Sequence, residues 1–116
     1  MQFYPKPPNP KAIIITKNGG PEVLELQDVK ISAPGPDEIK VTNHAIGLNY
    51  IDTYHRSGLY HLKLPIGLGL EGAGLITDVG SNVKNFKSGD RVAYAAIPLG
   101  SYSTHRNFSA NKLVKI

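Results

Sequence analysis

Hydrophobic and polar positions along this chain fall into short blocks, each closed by a turn signal. Ala12-Ile13-Ile14-Ile15-Thr16 is a β-branched run that stops at Asn18-Gly19-Gly20-Pro21. Val23 to Ile31 alternates apolar and polar for most of its length, which predicts one half-buried strand, and Pro34-Gly35-Pro36-Asp37 ends it. Glu38 to Ala45 reads as the next strand, with Ile39, Val41 and Asn43 on one face. Residues 59–69 carry Pro65, Gly67 and Gly69 and read as a loop. Leu70–Val79, Arg91–Ala95, Tyr102–Phe108 and Lys112–Ile116 complete the strands, with turns at Gly80-Ser81-Asn82 and Lys87-Ser88-Gly89-Asp90. Many short strands separated by turns predict a mostly-β barrel or sandwich.

One segment breaks the strand pattern. Asn49 to Ser57 reads as a short helix: Asn49 can cap it, Asp52 stands three residues on, and Gly58 can end it in the left-handed conformation. Tyr50, Ile51 and Tyr54 share one face at helical spacing. At the other extreme, Pro5, Pro7, Pro8 and Pro10 make residues 1–10 an extended proline-rich tail.

Gly67-Leu68-Gly69-Leu70-Glu71-Gly72 matches G-x-G-x-x-G. A dinucleotide-binding turn needs a strand before it and a helix after it, so that a pyrophosphate sits on the helix N-terminus. Pro65 interrupts the residues before, and Ala73 to Gly80 holds too many glycines and β-branched positions for a helix. These glycines therefore predict a bulge, a tight bend or a close backbone approach.

Composition narrows the function classes. The 116 residues carry a net charge of +4, with lysines scattered singly and no basic block of the kind nucleic acid requires. The longest run free of polar residues, glycine and proline, Val92 to Ile97, is far short of a membrane span, and no signal-peptide pattern opens the chain. The absence of cysteine removes disulfides, Fe–S clusters and cysteine-ligated zinc, and fits a cytoplasmic location. His44, His55, His61 and His105 form no i, i+4 pair, so no metal is expected.

Three strings carry a family resemblance: Ala45 to Tyr60, with its I-D-T-Y-x-R-S-G-x-Y core, Gly67 to Gly80, and Gly89-Asp90-Arg91-Val92. Together they resemble the N-terminal domain of the NADPH:quinone oxidoreductases, the zeta-crystallin-like members of the medium-chain dehydrogenase/reductase superfamily. The resemblance runs from about Lys11 to Ile116. It implies a GroES-like β-barrel over residues 11–116 with one or two short helices. Zinc-dependent relatives carry a cysteine where this chain has Asn49 and a histidine where it has Leu70, so the resemblance implies the zinc-free branch. It also implies a Rossmann domain that binds most of the NADPH, which this chain does not contain. The isolated chain is therefore expected to be inactive and to bind NADPH weakly or not at all.

The resemblance assigns Asn49 and Tyr54 to catalysis beside the nicotinamide. It gives Asn49, Asp52 and Tyr54 to cofactor binding, and Tyr60 with Tyr54 to the pocket for a quinone or another small electrophile. Each residue also has a plain structural reading: a cap for Asn49 and Asp52, core packing for Tyr54, a surface ring for Tyr60. Arg56 reads as a surface or inter-domain ion-pair residue. Expected partners are the missing Rossmann domain or a second copy, with no nucleic acid and no membrane. The alternative function is a GroES-like binding or scaffold module without catalysis. If the oxidoreductase reading holds, Asn49, Tyr54 and Tyr60 converge on one cleft.

Overall fold

The computed structural model of the chain describes residues 9–116. Most of the expected proline-rich tail lies outside the described residues. Pro10 is inside them, and its carbonyl accepts a hydrogen bond from the Val29 N–H at 3.0 Å.

The architecture is mostly β, as the turn spacing predicts. Strands β1 (Lys11–Ile15), β2 (Glu25–Asp28) and β4 (Ile66–Gly67) form one sheet in the order β2-β1-β4. Strands β3 (Glu38–Gly47), β5 (Glu71–Val79), β6 (Arg91–Ala95), β7 (His105–Ser109) and β8 (Val114–Lys115) form a second, ordered β7-β3-β5-β6-β8. All pairings are antiparallel. The residues before β7 stitch the sheets together: Ser103 bridges Ala12, the Ile13 N–H donates to the Tyr102 carbonyl, and the Thr104 N–H donates to the Lys11 carbonyl.

Inward-facing positions of the larger sheet make the main core: Ile39, Val41, Ile76, Val92, Tyr94 and Phe108. The glycines of β5 have a steric role there. Gly72 pairs with Tyr94, and a Cβ on Gly72 would lie 2.6 Å from the Tyr94 hydroxyl oxygen. Ring and missing side chain are complementary, as dense packing requires. A smaller cluster of Ile15, Val23 and Leu68 fills the space under the other sheet.

Two expectations are corrected. The run Val23–Ile31 is not one half-buried strand. Pro21–Val23 forms a 3-10 turn that buries Val23, and β2 is a four-residue edge strand. Leu26 on this strand is 67% exposed. The loop expected over 59–69 contains β4, because Ile66 and Gly67 pair with Ile15 and Ile14. Proline at position 65 is compatible with this, since it stands just before the strand.

Candidate functional site

The helix expected from Asn49 is present as α1 (Tyr50–Ser57), with Asn49 as its extended N-cap and Gly58 as its left-handed stop. Asp52 closes the capping arrangement from the third position, accepting the Asn49 N–H on Oδ2 at 3.1 Å. At the far end, the N–H groups of Gly58 and Tyr60 both donate to the Tyr54 carbonyl, at 3.2 and 3.3 Å. That double bond to one carbonyl folds the chain back. It sets the Tyr60 ring edge-to-face against Tyr54, centroids 5.4 Å apart, while Tyr50 stacks edge-on against the other side of Tyr54 at the same separation. The aromatic row faces outward: Tyr50 is 77% and Tyr60 49% exposed, and Tyr54 is half-buried.

The face of α1 turned to the interior is polar. Its buried residues are Asp52 and His55, not the Tyr50-Ile51-Tyr54 face that helical spacing suggests. Asp52 compensates its burial by accepting the Tyr102 hydroxyl and the Asn49 N–H on the same oxygen. Burial, and then the Asp52 carboxylate, push the Tyr102 phenol above its ordinary range, so it remains a donor. The other end of α1 is tied to the turn after β1. Asn18 Nδ2 donates to the Arg56 carbonyl at 3.2 Å, and Arg56 Nε donates to the Gly19 carbonyl at 3.1 Å. Arg56 thus serves the backbone of that turn, and its charge lies close enough to Glu22 to favour the ionised carboxylate.

Tyr54 and Tyr60 are brought together as expected. Asn49 stands at the opposite end of the helix, and its contacts run to Asp52 and not to the two rings. Asp52 points inward, holding Asn49 rather than opening to solvent. A separate cleft of about 630 Å³ runs along the strands beside them, lined by Ile46, Gly47, Glu71, Tyr94, Lys112 and Val114 among others. It begins two residues before Asn49 and contains none of the four expected site residues Asn49, Asp52, Tyr54 and Tyr60. Sequence reasoning missed both this cleft and Tyr102, which stands 50 residues from Asp52 and carries no local signal of the contact.

The G-x-G-x-x-G string makes no phosphate turn. Gly67 ends β4, β5 starts at Glu71, and no helix follows. Gly69 has φ +97°, and a Cβ there would lie 2.2 Å from Ser101 Oγ and 2.5 Å from the Tyr102 ring. These glycines admit the chain's own 100–102 segment, the close approach expected of them. The residues present therefore do not fit a dinucleotide pyrophosphate. Leu70, where the resemblance places a histidine in zinc-dependent relatives, offers no ligand. Among the described residues no group of three or more His, Cys, Asp or Glu is placed to hold a metal, and no helix is long and apolar enough to cross a membrane.

A strand-built domain with one capped helix and no dinucleotide turn matches a known family model, the alcohol dehydrogenase GroES-like domain, over residues 35–116. The chain belongs to that family. This GroES-like domain is 56% identical over 107 residues to a quinone oxidoreductase of Pseudomonas aeruginosa, covering 91% of this chain and 33% of that protein. It is 41% identical over 109 residues to a 2-haloacrylate reductase of Burkholderia, covering 90% of this chain and 33% of that protein. Its fold matches the crystal structure of Escherichia coli quinone oxidoreductase complexed with NADPH with a TM-score of 0.89 at 50% identity, over 91% of this chain and 33% of that one. The domain thus spans about a third of the length of these relatives.

Proposed function

We propose that this domain is the substrate-side part of a zinc-independent NADPH:quinone oxidoreductase of the cytoplasm. NADPH, when bound, supplies the hydride; the domain supplies position and electrostatics. Asn49, at the start of α1, presents an amide that can hydrogen-bond the nicotinamide carboxamide. Tyr54 orients the reacting groups with its hydroxyl, and Tyr60 offers a ring face to a flat quinone. The phosphates and adenine fall to a Rossmann domain carried by a longer protein or a partner chain, since no phosphate turn is available here.

The observation that carries this reading is the Tyr54–Tyr60 pair: a half-buried and an exposed ring edge-to-face, fixed by backbone hydrogen bonds from a left-handed helix stop. The relatives named quinone oxidoreductases support the substrate class, and the NADPH complex of one of them supports the cofactor.

Titrations of the chain with nicotinamide and with 1,4-naphthoquinone, followed by NMR of the tyrosine rings and the Asn49 amide, test the reading. Saturable shifts are expected at Asn49 with nicotinamide and at Tyr54 and Tyr60 with the quinone. Shifts confined to Ile46 and Tyr94 in the strand cleft overturn the site. No response anywhere favours a GroES-like scaffold module without catalysis.

A further inference from the structure

We propose that Tyr102 is a positioning residue for Asn49, acting through Asp52 to moor the N-terminus of α1. The role assigned to Asn49 rests on the reading above; the mooring itself does not. Asp52 is 5% exposed and sits on the inner face of α1. Its Oδ2 is a junction, taking the Asn49 backbone N–H from one side and the Tyr102 hydroxyl from the other. Among the described residues its Oδ1 is buried without a hydrogen-bond partner. The carboxylate therefore depends on those two donors, because a buried charge must be hydrogen-bonded to stay.

Tyr102 is a rigid post. Its own N–H donates to the Leu68 carbonyl at 3.0 Å, and its carbonyl accepts the Ile13 N–H at 2.8 Å, so its backbone is tied to both β1 and the strand-to-strand turn at Gly69. Its ring lies over Gly69, where a Cβ would come within 2.5 Å of it. The next residues back reinforce the place: the N–H groups of Gly100 and Ser101 both donate to the Gly69 carbonyl, at 2.9 and 3.2 Å. The two ends of α1 are thus held by different devices. The C-terminal end is tied by Asn18, Gly19 and Arg56 to the turn after β1. The N-terminal end is tied through one carboxylate to one phenol. A residue presented from the N-cap has its backbone direction set by that second tie.

The phenol suits the task chemically. It is a single neutral donor, held in its protonated form by burial and by the carboxylate it serves. No proton transfer is required of it, only a fixed hydroxyl.

The test is hydrogen exchange of the chain by NMR, without ligand, in wild type and Tyr102→Phe. Phenylalanine keeps the ring over Gly69 and removes only the donor. A hydrogen bond to a charged group changes a local opening equilibrium roughly tenfold or more, so exchange of the Asn49 amide is expected to accelerate by about that factor. The Gly58 amide at the other end of α1 and the Ile76 amide in the core are expected to keep their rates. Unchanged exchange at Asn49 overturns the proposal, and so does an equal acceleration at all three amides, which marks general destabilisation. Should Tyr102→Phe not fold, Asp52→Asn provides the same test. Its amide oxygen can still accept both donors but carries no charge, which weakens each bond, so a smaller acceleration confined to Asn49 and its neighbours supports the mooring, and none refutes it. The nicotinamide and naphthoquinone titrations are then repeated on Tyr102→Phe. A weaker shift at Asn49 with Tyr54 and Tyr60 responding as in wild type supports positioning. A wild-type response at Asn49 means that the mooring does not serve the site, and overturns that part. If wild type itself does not respond, the site reading fails, while the exchange rates still decide the mooring.

Discussion

Two glycines share a left-handed backbone and differ in everything around them, which allows the crowding at the false dinucleotide motif to be measured. Gly69 has φ +97° and Gly89 has φ +94°. A Cβ at Gly89 would meet nothing within 4 Å, whereas one at Gly69 would lie 2.2 Å from Ser101 Oγ and 2.5 and 2.8 Å from two Tyr102 ring carbons. Gly89→Ala therefore carries backbone strain alone, about 1–2 kcal/mol for a side chain in the left-handed region. Gly69→Ala carries the same strain plus overpacking, about 1–3 kcal/mol more. Neither Ser101 nor Tyr102 can swing away freely, because both backbones are bonded to the 68–69 turn. Urea unfolding followed by circular dichroism gives both free energies against wild type, and equal m-values ensure that like states are compared. The expected order is wild type, then Gly89→Ala, then Gly69→Ala, with the last two separated by at least about 1 kcal/mol. If Gly69→Ala is no worse than Gly89→Ala, the close-approach account of this motif is wrong. The glycine at 69 would then need another reason, and phosphate binding would have to be reconsidered.

Other expectations follow from the same geometry. The isolated chain should bind NADPH weakly or not at all; a low-micromolar dissociation constant by fluorescence titration would show that a phosphate site exists outside the glycine string. A strong chelator should leave the melting temperature unchanged, since only a bound metal could couple its removal to stability; stoichiometric zinc by elemental analysis would reverse the zinc-free assignment. Asp90 accepts the Lys87 N–H at 3.0 Å and pairs with Lys87 and Lys115, and the backbone bond foremost holds its carboxyl below the ordinary range. A depressed folded pKa means its contribution is fully present above about pH 4 and is lost as pH falls through the folded value. Asp90→Asn should therefore lower stability at neutral pH and flatten the acid limb of the stability curve; parallel curves for variant and wild type would refute this. In an oxidoreductase that carries this domain, Tyr54→Phe should lower kcat/KM roughly tenfold, about 1.4 kcal/mol, if its hydroxyl acts in the transition state. An unchanged kcat/KM would leave Tyr54 a packing residue.

Local chemistry wrote several features directly into the sequence. The helix start at Asn49, its Asp52 return bond and its Gly58 stop are all decided within ten residues, because capping groups satisfy their own neighbours. The absence of a phosphate turn was equally legible, since no helix could follow a glycine-rich, β-branched run. Alternation identified Ile39 and Val41 as inward-facing, and both are fully buried. What alternation could not provide was the partner for each face. Leu26 keeps the periodicity of a half-buried strand yet lies exposed on an edge strand, and Ile66–Gly67 pairs as a strand only because β1 offers it an open side. The same holds for α1. Helical spacing grouped Tyr50, Ile51 and Tyr54, but the buried face belongs to Asp52 and His55, since a phenol from 50 residues away makes burial of that carboxylate tolerable. A residue's local conformation depends on neighbours in sequence, whereas its burial depends on what the chain brings to it from elsewhere. Only the tertiary structure could decide that Tyr102 meets Asp52 and that Tyr60 folds back onto Tyr54.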